Sequence, residues 1–510
     1  MTGIKVPAEK CGSENQTNMI RKLVIGLWAG MLCLAPALFG QGVGAQYQGV
    51  FAKATEAPTL EKNLRTLTDE IGGRVPGTLQ MDEAVKWAVA AFKAAGADDV
   101  HTEDFTMQTS WREGATDVEV TSPTRFKLRA TSIAWSPAIQ GTLTTRVVDV
   151  GFGSPEEFAK AGDIAGAIVL VHSHVLHKWQ DLFNEYLDAP PIIDQALKGK
   201  AAAIAWTSTR EHDVLYRHIN APPEKFDRIP SVLLAREDAL RVARLIESGK
   251  KVEMSITLPN YMGGPIKTQN VVAEIRGSEE PNQFVLLGAH LDSWNLGTGA
   301  LDNGCDAAMV IEALRAIKSS GFKPKRTIRF VLFSGEEEGM LGSWAYATQH
   351  KGEMDNADAV VIFDSGSGRI TGYSLGGRKD VLAKVNEMTK PFEVRGPIEN
   401  TTDAFVGTDN LDFLLDGVPT LVANQVEANY LVNYHASSDT YDKVDMTELK
   451  KNLVIAAYTM AYLADTPRLG PRQTRPEIEQ LMKNTGLDEQ MKLFNVWPQW
   501  EDGTRGRSRQ

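Results

Sequence analysis

The sequence predicts an α/β protein: a mostly parallel central sheet with helices on both faces, interrupted by a second, inserted α/β domain. Three observations carry this. From Gln269 onward, apolar runs of strand length alternate with helix-length segments. The acids and histidines of that region fall at the ends of those runs. Between Leu128 and Met262 the texture changes, and no comparable arrangement of acids and histidines recurs. A chain of 510 residues can bury a core in each of two domains.

The first element is a leader. MIRK (Met19 to Lys22) supplies positive charge, LVIGLWAGMLCLAPALF (Leu23 to Phe39) an apolar run, and VGA (Val43 to Ala45) small residues for cleavage. That order predicts a secretory signal peptide cut after Ala45, hence a secreted or periplasmic protein. Pro36 and several glycines interrupt the run, which falls short of the ~20 clean apolar residues of a membrane span. No stable membrane partner is therefore expected once the signal is removed. Residues 1–45 take Cys11 and Cys33 with them and leave Cys305 alone. Such a chain has no internal disulfide and depends on core packing.

Residues 46–127 form the first part of the main domain. MDEAVKWAVAAFKAAG places Ala84, Trp87, Ala88, Ala91, Phe92 and Ala95 at helical spacing and closes with Gly96. DDVHTEDFTM then turns into a strand. Residues 128–262 form the insert, in which GAIVLVHS and AAAIAWTS read as short buried strands. His172, His174 and His177 resemble a metal cluster, but no carboxylate or cysteine joins them at ligand spacing, and they read as a loop rim.

Residues 263–467 form the main part. NVVAEIRG, FVLLGAHL, TIRFVLFSG, AVVIFDSG and PTLVANQ are strands, and GCDAAMVIEALRAIKSS, DVLAKVNEMTK and MTELKKNLVIAAYTMAYLAD are helices. Alternation of this kind implies a parallel sheet covered on both faces. Residues 468–510 form a tail whose end, EDGTRGRSRQ, is expected to be mobile.

Composition excludes some functions. A hydrophobic share of 43% and a charged share of 23% are ordinary for a soluble globular protein. A formal charge of −11 without a basic block argues against a nucleic-acid partner.

The polar strand ends carry the chemistry. GAHLDSW contributes His290 and Asp292, GALDNGCDAA contributes Asp302, and SGEEEG contributes Glu336, Glu337 and Glu338. FDSGSG adds Asp364 and NYHASSD adds His435. In a parallel sheet these ends share one edge, where ligands bind. So many acids at an apolar edge repel one another unless a cation joins them. Mixed imidazole and carboxylate donors favour zinc, and a central aspartate suits two metals about 3.5–4 Å apart. One glutamate of the run is then free to take a proton from water.

These residues resemble the zinc-dependent exopeptidases of the aminopeptidase type, in the carboxypeptidase Q (plasma glutamate carboxypeptidase)-like group with a protease-associated domain. HLDSWNLGTGALDNG, FSGEEEGMLGS, FDSGSG and YHASSDTYDKVD stand in that family's order and spacing. IGGRVPGT and the insert also have counterparts there, so the likeness spans Gln46 to Asp465. The resemblance implies two zinc ions per chain bridged by Asp302. His290 and Asp364 complete one site, and Glu337 and His435 the other. It implies Glu336 as general base and Asp292 as the residue that orients His290 through its second ring nitrogen. One departure stands out: the family often has an acid after the bridging aspartate, and here the residue is Asn303.

Other residues carry narrower expectations. Glu338 reads as a solvated or helix-terminal acid, and Cys305 as a small apolar residue in a first helical turn. Trp294 either walls a substrate pocket or packs beneath its loop. Tyr434 either holds a tetrahedral oxyanion or packs as a ring. Asp409 and Asp412 either reach a substrate amine or cap a helix.

The expected activity is hydrolysis near the ends of small peptides, as an aminopeptidase or dipeptidase. Alternatives are the carboxypeptidase direction, a glutaminyl cyclase-like acyltransferase with a single zinc, and a catalytically silent binding ectodomain. Oligomeric state stays open, a homodimer included.

Overall fold

The computed structural model describes residues 42–509. Nearly all of the leader therefore lies outside the described residues. Among the described residues no helix is long and apolar enough to cross a membrane.

The main sheet has seven strands: β1 Asp99–Met107, β2 Ile266–Ile275, β3 Glu280–His290, β4 Arg326–Phe333, β5 Ala357–Ile362, β6 Ile370–Ser374 and β7 Thr420–Gln425. Their order is β1-β2-β4-β3-β5-β7-β6. The central strands β4, β3, β5 and β7 run parallel, and β1, β2 and β6 are added antiparallel at the edges. The expected parallel core is present, with antiparallel flanks.

Strand β3 shows why the apolar runs fold this way. It is buried continuously from Phe284 to His290. Val285, Leu287 and Ala289 pack on one face with the helices Leu79–Ala95, Cys305–Ser319 and Met446–Asp465. Phe284 and Leu286 pack on the other, with Tyr346 and Phe413. Alternate side chains point to opposite faces, so a strand covered on both must be apolar throughout. Its first polar side chain after this run is His290, at the carboxyl end.

The insert forms its own eight-stranded sheet, with strands from Asp117–Ser122 to Glu253–Thr257 and separate apolar cores. Ser110–Arg112 pairs with Tyr261–Gly263 at its neck. The second sheet therefore begins at Asp117, ahead of the Leu128 boundary expected from texture. The reason is non-local: Asp117–Ser122 joins the sheet by pairing with Glu253–Thr257.

The tail also corrects an expectation. The helices Arg475–Thr485, Leu487–Leu493 and Trp497–Asp502 pack Ile478, Leu481, Met491 and Trp500 against Leu411, Leu414 and Leu415. Arg505, inside the segment expected to be mobile, is 1% exposed. Its guanidinium donates to both carboxylate oxygens of Asp412 at 2.6 and 2.8 Å. A buried ion pair with two aligned hydrogen bonds fixes that end of the chain.

Candidate metal centre

Five side chains meet at the carboxyl edge of the main sheet. His290 ends β3, and Glu337 follows β4 in a turn. Asp364 follows β5, Asp302 lies just ahead of the helix Cys305–Ser319, and His435 follows the short helix Tyr430–Asn433. They form two groups that could each hold a metal ion: His290, Asp302 and Asp364, and Asp302, Glu337 and His435.

Asp302 belongs to both groups because its two oxygens diverge. Oδ1 lies 3.2 Å from His290 Nε2, and Oδ2 lies 3.4 Å from His435 Nε2. Asp364 Oδ1 stands 3.2 Å from His290 Nε2, and Glu337 Oε2 stands 2.8 Å from His435 Nε2.

The second ring nitrogens decide what faces the acids. His290 Nδ1 donates to the Asp292 carbonyl at 3.0 Å, and His435 Nδ1 donates to the Arg217 carbonyl at 3.1 Å. A carbonyl can only accept, so each Nδ1 carries a hydrogen and each Nε2 is the ring atom turned toward the carboxylates, a lone-pair donor whenever the ring is neutral. Three carboxylates and two ring nitrogens converge on one buried volume. Asp302 Oδ2 and Glu337 Oε1 are buried without any hydrogen bond. This donor set fits divalent cations that take imidazole and carboxylate ligands.

The electrostatics point the same way. Burial pushes the carboxyls of Glu336, Glu337 and Glu338 well above the ordinary range, and neighbouring acids push them further. Burial works against the His290 imidazolium, but the charge of Asp364 and hydrogen bonds with neighbouring aspartates outweigh it and raise that histidine. Burial prevails at His435, which falls to about 4. As a set, the acids are held in a place that disfavours their own charge.

Asp292 is fully buried, and its carboxylate faces both His290 and the glutamate turn. Oδ1 stands 3.7 Å from His290 Nδ1, while Oδ1 and Oδ2 accept from the backbone amides of Glu336 and Glu337, each at 3.3 Å. The backbone carbonyl of Asp292 orients the imidazole, and its side chain fixes the glutamate turn.

The loop bearing Asp302 is held from two directions. Asp439 accepts from the amides of Ala300, Leu301 and Asp302 at 3.0, 2.7 and 3.2 Å. Arg74, fully buried, donates to the carbonyls of Leu291, Thr298 and Gly299 at 2.6, 2.8 and 2.9 Å. Gly299 adopts φ 60°, and a Cβ there would meet Ser293 Oγ at 2.2 Å. Only glycine allows that turn without a clash. Arg74 and Asp439 stand within the quoted IGGRVPGT and YHASSDTYDKVD, yet sequence reasoning singled out neither. A lone arginine between glycine and valine was the only local signal for Arg74.

Asn303 also finds a role. Its Nδ2 donates to the Phe363 carbonyl at 2.9 Å, tying the Asp302 loop to the segment that carries Asp364. An ionised acid at this position could not make that bond.

The remaining expectations divide. Glu338 is 4% exposed with neither oxygen hydrogen-bonded, so it is not solvated. Cys305 is buried in the first turn of its helix, as expected. Trp294 packs edge-on to His435, 5.9 Å between ring centres, and lines the cavity beside Asp302 and Glu337. Tyr434 stacks on His435 at 3.6 Å. Asp412 is committed to Arg505 and to the Ser343 hydroxyl, so it does not reach outward. Asp409 is buried, makes no capping bond, and is pushed up by burial to about 8. His172 pairs with Asp149 at 3.0 Å, and His174 stacks on Phe152.

The sequence profile of peptidase family M28 matches residues 270–460. Carboxypeptidase Q of Mus musculus is 26% identical over 420 residues, spanning 81% of this chain and 87% of that protein. A solved peptidase M28 precursor from Shewanella amazonensis shares 27% identity and a TM-score of 0.76, over 84% of this chain and 99% of that one. BSAP, a zinc aminopeptidase from Bacillus subtilis, shares the fold with a TM-score of 0.64 at 17% identity, over 82% of this chain and 97% of that one. With the strand-end acids and histidines already in place, these likenesses identify a metallopeptidase whose residues 270–460 are similar to peptidase family M28.

Proposed function

We propose that the chain is an exported di-zinc exopeptidase that removes residues from the ends of small peptides, as an aminopeptidase or dipeptidase. The observation that carries this reading is the division of Asp302, one oxygen toward His290 and the other toward His435. His290, Asp302 and Asp364 would hold one zinc ion, and Asp302, Glu337 and His435 the second. When bound, such ions polarise a peptide carbonyl and make water acidic enough to attack it at neutral pH.

The protein's own groups supply the rest. Glu336 lies beside the ligand Glu337 but is absent from both groups. Its carboxylate accepts the proton that the attacking water loses and returns it to the leaving amine nitrogen. Asp292 keeps Glu336 in register through the backbone bonds of its turn. Tyr434, stacked on His435, offers a hydroxyl donor to the carbonyl oxygen as that oxygen gains charge. The insert, which we read as protease-associated-like, packs on the His435 side of the centre through Arg210, Tyr186 and Arg217. The substrate partner is a small peptide.

Metal analysis with product identification on a tripeptide blocked at either end tests this. The expectation is two zinc ions per chain and cleavage only when the amino end is free. Cleavage requiring a free carboxyl end would favour the direction named in the carboxypeptidase Q relatives. A zinc-loaded protein that cleaves no peptide would overturn the reading.

A further inference from the structure

One face of the insert helix Trp179–Lys198 packs against the segment that leads into His435. Trp179, Leu182 and Tyr186, spaced i, i+3 and i+7, share a stripe of that helix. Trp179 lies 5.7 Å from the Tyr430 ring, Leu182 packs with Leu431, and the Tyr186 hydroxyl stands 3.3 Å from that of Tyr434. All three partners fall in the few residues that lead into His435.

The insert also fixes Tyr186 from behind. Its neighbour Glu185 is bound by the Tyr216 hydroxyl and by Arg210 Nη1. Arg210 Nη2 in turn donates to the Tyr434 carbonyl at 3.2 Å. Tyr434 is thus held by the insert at its backbone and at its hydroxyl, while its ring lies 22° from parallel to His435.

From this we infer that Tyr186 is a positioning residue of the peptidase reaction, acting through Tyr434. A phenol O–H swings about its C–O bond and has no fixed direction by itself. The geometry of the pair allows either hydroxyl to donate; with Tyr186 as the donor to Tyr434 Oη, the Tyr434 proton is left to point at the scissile carbonyl oxygen. No proton changes owner, and the gain appears only when that oxygen becomes negative. A partner realised only in the transition state raises kcat and leaves KM alone. The inference rests on the peptide hydrolysis proposed above.

Tyr186→Phe, Tyr434→Phe and the double variant test it, in the full chain with trialanine as substrate. Tyr186→Phe is expected to lower kcat about 10- to 100-fold, in the range of groups that orient a reacting residue. Tyr434→Phe is expected to lower it about 100- to 1,000-fold, as for loss of one oxyanion donor. KM, zinc content and melting temperature stay at wild-type values in Tyr186→Phe. The double variant falls no further than Tyr434→Phe, because the second residue works through the first. Multiplicative losses, an unaffected Tyr186→Phe, or a change confined to KM would each overturn the inference while leaving an active wild type as a peptidase. A wild type inert on every peptide overturns both.

Discussion

His290 and His435 each face one oxygen of the same aspartate, yet the two sides of the candidate centre are built from different parts of the chain. On the His290 side every contact is local to the main sheet: His290 ends β3, Asp364 follows β5, and the Asp292 carbonyl orients the ring. On the His435 side the orienting carbonyl belongs to Arg217, in the insert, and the stacked Tyr434 is gripped by Arg210 and Tyr186. Reciprocally, the Arg217 amide donates to the His435 carbonyl at 2.8 Å. One side is a product of strand ends, the other of domain docking. The His435 side should therefore respond to changes in the insert that the His290 side does not feel.

The largest expected effect erases the distinction. Asp302→Ala removes the carboxylate common to both groups, so under the proposed di-zinc reading all metal and all turnover should be lost, as read by metal analysis. Glu336→Gln should separate chemistry from metal holding: turnover falls by about 100- to 10,000-fold, the range for a lost general base, with metal content intact. Loss of metal in that variant would place Glu336 among the ligands.

Arg217→Ala sharpens the comparison. The side chain is fully buried and donates to Glu113 at 2.6 Å and to the Ser132 carbonyl. Leaving Glu113 without its cation, with only the Thr116, Thr131 and Ser132 donors, should cost about 3–5 kcal/mol of stability, measured by denaturant unfolding. Where the variant still folds, the His435 group should lose metal affinity first, leaving one tightly bound ion by titration. Equal weakening of both would refute the division.

A smaller effect lies on the edge strand β1, among residues outside both groups, and serves as a control. Glu103 meets His101 at 3.2 Å and His350 at 2.7 Å. The Glu103 hydrogen bond raises His101 from 6.5 to about 9, against the opposing effect of burial. Burial opposes the Glu103 charge, but both histidines overcome it and lower that carboxyl from 4.5 to about 2. A raised histidine stabilises fully below 6.5 and loses its contribution as pH climbs through about 9. A lowered glutamate stabilises above 4.5 and loses its contribution as pH falls through about 2. Melting temperatures of wild type and His101→Gln should therefore differ most between those limits and converge above pH 9. The metal content should not change with either.

The same division explains what could be read from the sequence. An apolar run ending in an acid or histidine announces a buried strand and a group at its edge, which made His290, Asp364 and the glutamate run legible. The loop clamps were not legible. Arg74 bonds to carbonyls more than two hundred positions away, and nothing near it in sequence marks those partners. Arg505 sits in a glycine- and charge-rich stretch whose local composition implies mobility, and only the distant Asp412 reverses that. Glu338 misleads in the same way, because the third acid of a run looks solvated until the fold covers it.

The Arg74 clamp bears on how far the catalytic unit can be trimmed. Residues 270–460 match the family profile and contain all five side chains of the two candidate groups, so they invite excision as a minimal enzyme. Such a fragment would leave the Leu291, Thr298 and Gly299 carbonyls without their guanidinium and His435 Nδ1 without its acceptor. It would possess every side chain of the two candidate groups and lack the means to aim them. Grafting this centre into another scaffold therefore requires transplanting one arginine and one peptide carbonyl from outside the apparent domain.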